Sequence, residues 1–464
     1  MRLLRLRPSM QPVSWLSKVV GYRPECCLRS RIARAGSHPG LDRHSGRLAA
    51  PPRYQNLWKI IIDQANDFDG ADGSALDEVR RFAGDGGTNS SRRGLLKLAG
   101  IGGASMILGA RAHAASASEG EHAGTRVFDP KQHGKVHTLP STPETVRIGE
   151  MDPAAKPVLE IESGDVVHYP NTWVHWGNEA KYGMTFAERN VVRKRYPQGP
   201  QSLVGPVSIK GAVPGDVIEC RMIRLRPIGW GWNSTVRGMG ALPGDFQEPY
   251  LHYFRFDAER RFAEFAPGIR IPLAPTQGAI AAQPAGDKPT SALLLGAYGG
   301  NLSLASLVEG TSLFVSAEVP GANMWTGDSN AAQGDGAVNQ TGIESAMEDL
   351  RIQYVLHKRA ALTAPLAETP THWIVLGTGS SLEEALTAAL RQMIGWISAA
   401  TTLSWHDVYA LCSIEGSFRV TQYANQTNSN YRFQSPKVIH ATLPKRIFSA
   451  QRQVQVSRSL RPEA

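Results

Sequence analysis

The chain has 464 residues, and 50 Lys and Arg against 41 Asp and Glu give a formal net charge of +9. Its 46 glycines and 30 prolines argue against a helical bundle, while the length allows two to four domain-sized units with a large core. The basic excess lies in residues 1–114, with 18 basic and 9 acidic side chains, whereas the remaining 350 hold 32 of each, so the later residues lack the cationic surplus that nucleic-acid binding uses.

Residues 1–53 carry ten Arg and one Lys together with the adjacent Cys26 and Cys27. Residues 1–90 read as an upstream leader, with a transit peptide as the competing reading because the stretch is Arg-rich and acid-poor up to Asp42. Arg92-Arg93 then precede an apolar Gly/Ala-rich run, Leu98 to Ala110, and the small-x-small sequence Ala112-His113-Ala114. That order resembles a twin-arginine export signal over 91–114 and predicts a periplasmic or secreted protein. The run is too short for a stable membrane span. A mature chain starting near Ala115 keeps only Cys220 and Cys412, which could pair in an oxidising compartment or stay as buried thiols.

From 125 to about 320, turn-then-strand units dominate. Ser163-Gly164-Asp165-Val166-Val167 and Pro214-Gly215-Asp216-Val217-Ile218 repeat one logic. Glycine supplies a positive φ, Asp bonds the local backbone, and β-branched residues open a strand. Asp216 to Leu225 reads as a strand whose imperfect alternation leaves its buried face unassigned, and Leu313 to Val319 reads as another. Such spacing predicts a sandwich or barrel. Helices come late: Leu382, Ala385, Leu386, Ala389, Leu390, Met393, Ile394 and Ile397 recur at i, i+3, i+4 spacing behind a Ser381/Glu384 cap. Ser404 and Asp407 open a shorter helix to about Cys412, and Arg419 to Tyr423 returns as a strand. The fold class is α+β, predominantly β, over 115–450, with an αβ part after about 320 and a tail at 451–464.

Chemistry-bearing residues concentrate between Trp325 and Ala337, where Asp328 and Asp335 could hold a metal or act as acid and base beside Asn330 and Gln333. Asp335-Gly336 equally suits a hairpin turn. Gly299-Gly300-Asn301-Leu302-Ser303 forms a second cluster. A third, Pro170 to Asn178, contains Asn171, Trp173, His175 and Trp176 and reads as a binding wall or an aromatic core corner. His168 and His175 have no helical i, i+4 partner, and no G-x-S-x-G, P-loop or dinucleotide fingerprint occurs.

The residues Leu203 to Val217, Phe265-Ala266-Pro267-Gly268-Ile269-Arg270-Ile271-Pro272, Gly299-Gly300-Asn301, Gly327-Asp328, Gln333-Gly334-Asp335-Gly336 and Glu368-Thr369-Pro370-Thr371-His372-Trp373-Ile374 together resemble the acetamidase/formamidase family, over about 130–448. The resemblance implies that family's β-sandwich/barrel-like fold, a homo-oligomer and hydrolysis of small linear amides with a divalent metal. It points to Asp328, Asp335, Gln333 and Glu344 as catalytic residues and to Asn301, Asn171, Trp173 and Asn330 around a small-molecule amide, with Asp328 and Asp335 as the best remaining metal ligands. At four positions the sequence departs from the family pattern. Asn171 and Ser303 stand where the family has Asp, Asn330 where it has His, and Ala337 where it has Glu. Two functions follow as expectations: an exported amide hydrolase, or a lapsed member that binds a small ligand or a partner subunit without hydrolysis.

Overall fold

The computed structural model describes residues 127–358, 362–423 and 435–462, all within the unit Glu119–Ala464. The leader and the export signal expected at 1–114 lie outside the described residues.

Two large sheets carry the fold. The nine-stranded sheet has at its centre Val217–Pro227, flanked by Met347–His357 and Ser312–Ser316. It extends through Leu366–Glu368, His372–Gly379, Lys437–Pro444 and Ser417–Gln422. In the ten-stranded sheet, Met324–Ala332 pairs with Thr276–Ala281, Ile343–Glu344 and Ser202–Ile209. Ile218, Met222 and Ile352 of the first sheet interlock with Val204, Ile280 and Met324 of the second in one large core. This is the sandwich expected from the turn-strand spacing.

Helices α1 (Phe186–Arg193), α2 (Leu382–Thr401), α3 (Trp405–Ile414) and α4 (Ala450–Ser459) complete the main architecture. Ser381 Oγ accepts from Glu384 N–H at 3.1 Å at the start of α2, and the Ser404/Asp407 box at α3 is complete. Ala385, Ala389, Met393 and Ile397 line the buried side of α2 against Trp373, Val375, Ala441 and Leu443. Gly377 lets α2 sit this low, since a Cβ there would lie 2.2 Å from the Ala385 carbonyl. A third layer thus covers the nine-stranded sheet at this end. It also explains the imperfect alternation of Val217–Pro227: Ile218, Cys220 and Met222 face the sandwich core, while Val217 joins the helical core. Cys220 and Cys412 are both buried and free.

Strands continue past 320 as far as Gly379 before any long helix begins. One boundary, the C-terminal one, differs from the sequence reading. Residues 451–464 are not a tail through residue 462: α4 buries Val456, Leu460 is 3% exposed, and Arg461 reaches Glu219 and Glu368. The apolar positions of α4 are too sparse to show as a periodic stripe, which is why pattern alone passed it over. No described helix is long and apolar enough to cross a membrane.

Candidate functional site

A cavity of about 120 Å³ opens beside the ten-stranded sheet. His175, Asp328 and Glu344 meet in it. His175 Nε2 lies 2.9 Å from Asp328 Oδ1 and 3.2 Å from Glu344 Oε2, all three being largely buried.

Local structure sets each one. His175 sits in a one-turn segment, His175–Asn178, in which Trp176 and Gly177 adopt left-handed backbone. Ser202 of the adjoining strand ties this turn down, its hydroxyl donating to Val174 O at 2.7 Å and accepting from Gly177 N–H at 3.1 Å. Trp176 and Trp232 pack edge-on against the His175 ring at 5.7 and 5.3 Å between centroids. Glu344 is held by register, opposite Asn330 on one side and Trp232 on the other. Asp328 interrupts its own strand with a φ of +57°. Trp176, Ser303, Asp328, Ala337 and Gln340 all have positive φ and all line this cavity. Strain of that kind collects where a site needs side chains aimed against the local preference.

Gly278 faces Asp328 across the ladder, between the pairs Gln277–Ser329 and Ala279–Gly327. A Cβ at 278 would come 2.4 Å from the Asp328 carbonyl oxygen and 3.1 Å from its Oδ2. Gly278→Ala is therefore expected to displace Asp328 and to cost about 1–3 kcal/mol, the usual range for overpacking. Urea unfolding checks the cost, and an unchanged midpoint would show that the ladder yields freely.

Burial works against a charge on His175, but the bonds and charges of Asp328 and Glu344 outweigh it and raise its pKa to about 9. Burial likewise raises the Glu344 carboxyl, and the bond from His175 opposes this without cancelling it. The trio thus holds a proton tightly when nothing else neutralises its two carboxylates.

Among the described residues, these three form the group whose ligating atoms all lie within 4.8 Å of one another. One imidazole and two carboxylates suit a borderline or hard divalent cation. Asn330 Oδ1 is buried without a hydrogen-bond partner, and Glu344 Oε2 has His175 Nε2 beside it at 3.2 Å, an arrangement that leaves acceptor capacity for a ligand. The donor set fits the metal that the resemblance implies, and a cation there would compete with the His175 proton.

The structure brings together Asp328, Glu344, Gln333, Asn301 and Asn330, all of which line the cavity. Gln333 donates to Ser303 O, and Ser303 Oγ donates to Gln422 Oε1 at 2.8 Å. Three other expected residues lie elsewhere. Asp335 is a third exposed and pairs with Arg419 at 3.4 Å, so it is no companion ligand to Asp328. Its strand has ended at Ala332, and the chain turns away before reaching it. Asn171 is exposed, and its side chain is bonded to the backbone of Ser141. Trp173 packs against the main core. Of the four positions that depart from the family pattern, Ser303, Asn330 and Ala337 line the cavity and Asn171 does not.

Sequence reasoning missed His175 as a ligand because its partners come from 153 residues away and beyond, with no short motif. It also missed Arg189 and Arg193 of α1, which line the cavity's other side. The capping box of Thr185 and Glu188 marks their helix but gives no hint of where it docks.

No protein-family profile matches this chain, and no curated protein sequence matches it. Solved structures do. An acetamidase from Bacillus halodurans is 24% identical with a TM-score of 0.60, covering 67% of this chain and 98% of its own. An acetamidase from Yersinia enterocolitica is 22% identical with a TM-score of 0.60, covering 68% and 93%. A predicted acetamidase/formamidase from the thermophile Thermoanaerobacter tengcongensis is 22% identical with a TM-score of 0.58, covering 68% and 97%. The described part of the chain therefore has the acetamidase/formamidase fold.

Proposed function

We propose that this protein hydrolyses the carbon–nitrogen bond of small amides in the His175–Asp328–Glu344 cavity. The observation that carries the reading is the convergence of one imidazole and two carboxylates, buried and strained into place, on the fold of the acetamidases. Amide resonance makes the carbonyl a poor electrophile and the amine a poor leaving group, so a site must activate water, polarise oxygen and protonate nitrogen.

The chain's own residues divide this work. His175, Asp328 and Glu344 would hold a divalent cation, which when bound supplies Lewis-acid polarisation and a more acidic water. The Glu344 carboxylate oxygen not given to the cation would take a proton from water and return it to the departing nitrogen. Asn330 Oδ1, buried and unpaired, offers an acceptor to the substrate N–H. Trp176 and Trp232 keep bulk water from the reacting centre.

A second reading, binding without hydrolysis, draws on one observation. Ser303, Asn330 and Ala337 line the cavity at positions where the resemblance implies Asp, His and Glu. Metal content and ammonia release from formamide and acetamide separate the two on the purified full chain. Bound metal with ammonia release supports hydrolysis. Saturable amide binding with neither supports the second reading, and Asn330→His with Ala337→Glu should then restore metal uptake.

A further inference from the structure

Arg189 is 2% exposed, yet among the described residues no carboxylate stands within ion-pair distance of it, and Glu344 acts on it only through space. Its hydrogen bond is to Tyr253 Oη at 3.4 Å. Its guanidinium lies over the rings of Trp232 at 4.4 Å and Trp176 at 5.2 Å. A cation over aromatic rings gives up no N–H to a conventional hydrogen bond, and among the described residues the bond to Tyr253 uses only one of its five donors. One turn on, Arg193 also lines the cavity, and its Nε is buried without a partner. A guanidinium left this dry costs folding free energy unless something else uses it.

The same two indoles carry His175 on their edges. His175 and Arg189 therefore stand no further apart than their two distances to the Trp232 ring laid end to end. The cavity thus has an anionic pole at Asp328 and Glu344 and a cationic pole at Arg189 and Arg193, with aromatic rings between them. A planar fork of donors matches a carboxylate in two parallel bonds. The nearby Asp328 and Glu344 repel a dianion more strongly than a monoanion, which favours a carboxylate over a phosphate.

We propose that the substrate is an amide that also bears a carboxylate, bound by Arg189 and Arg193 while the amide group meets the His175–Asp328–Glu344 pole. This rests on the amide-hydrolase reading and narrows its substrate class to monoamides of short dicarboxylic acids. It also accounts for two buried or half-buried arginines that, among the described residues, make no ion pair.

Calorimetric titration of the purified full chain with succinamate and with 4-methylpentanamide, its uncharged counterpart of similar shape, tests this. Succinamate is expected to bind at least tenfold more tightly. Arg189→Met and Arg193→Gln should each erase most of that preference, read as the ratio of the two affinities, and Arg189→Lys should keep part of it. If Arg189→Met does not fold, the half-buried Arg193→Gln still decides the matter. Equal or weaker binding of succinamate by the wild type, or a preference untouched by the variants, would overturn the proposal. Ammonia release from both compounds separates the two readings. Preferential binding of succinamate without turnover keeps carboxylate recognition and removes hydrolysis, whereas turnover of both without preference does the reverse.

Discussion

Glu344→Gln is expected to lower kcat on amides by about 10²–10⁴-fold, the usual worth of a positioned proton-transfer group, and at the same time to stabilise the metal-free protein. The two effects share a cause. Burial raises the Glu344 carboxyl, so at neutral pH the folded protein carries an ionised group that its surroundings disfavour. A neutral amide of the same shape removes that cost, and about 0.5–2 kcal/mol is the usual gain from relieving a functional site. Asp328 keeps its bond to His175 at 2.9 Å in the variant. Urea midpoints of the metal-stripped proteins, read beside initial rates of ammonia release, check both halves. A variant that is less stable and equally active would make Glu344 a structural residue.

The second large effect is far from the cavity. Glu219, fully buried on the central strand, accepts from Arg461 at 2.7 Å, Arg221 at 3.0 Å, Ser312 at 2.8 Å and His357 at 2.9 Å. Arg461 also reaches Glu368 at 2.7 Å, which Lys445 and Ser457 hold from the other side. Arg461→Met leaves both carboxylates buried and short of a cation, so it should cost about 3–5 kcal/mol of stability. Adding Glu219→Gln should recover a large part of that loss. Sparing the single variant this loss would show that Arg221, His357 and Lys445 suffice.

The pH dependence has a definite sign. Burial opposes charge on Glu219 and Glu368, but His357, Arg461 and Arg221 on the first, and Arg461 and Lys445 on the second, hold both carboxyls below their ordinary range. Their contribution is present above the unfolded carboxylate pKa and is lost as pH falls below it. Stability of the wild type should therefore drop more steeply below about pH 4.5 than that of Arg461→Met.

Much of this architecture was legible in the sequence because it depends on local signals. Asp165 bonds the turn backbone at Glu162 and Lys135, and Asp216 does so at Val213, as the two turn-strand units require. Both late helices begin at their serine caps. Asp328 stood out within its glycine-rich stretch, Glu344 was expected near it, and both reach the cavity. What escaped was contact at long range. Asp335 has the residue type of a ligand and lies seven positions from one, yet its strand stops before it could turn inward. His175 and Arg189 carry no motif at all, and only the docking of a tight turn and a short helix onto Trp232 brings both to one cavity.

The link between Glu219 and Arg461 spans 242 residues of sequence, and it bears on the order in which the protein can be made. Until the segment that ends α4 has left the ribosome, the central strand of the nine-stranded sheet holds a carboxylate without its strongest counter-charge. A nascent chain stopped short of residue 461 can pair its strands but leaves Glu219 to Arg221 and His357 alone and Glu368 to Lys445. Completion of the fold is thereby deferred until α4 has been synthesised, and errors near residue 461 are felt at the heart of the sheet.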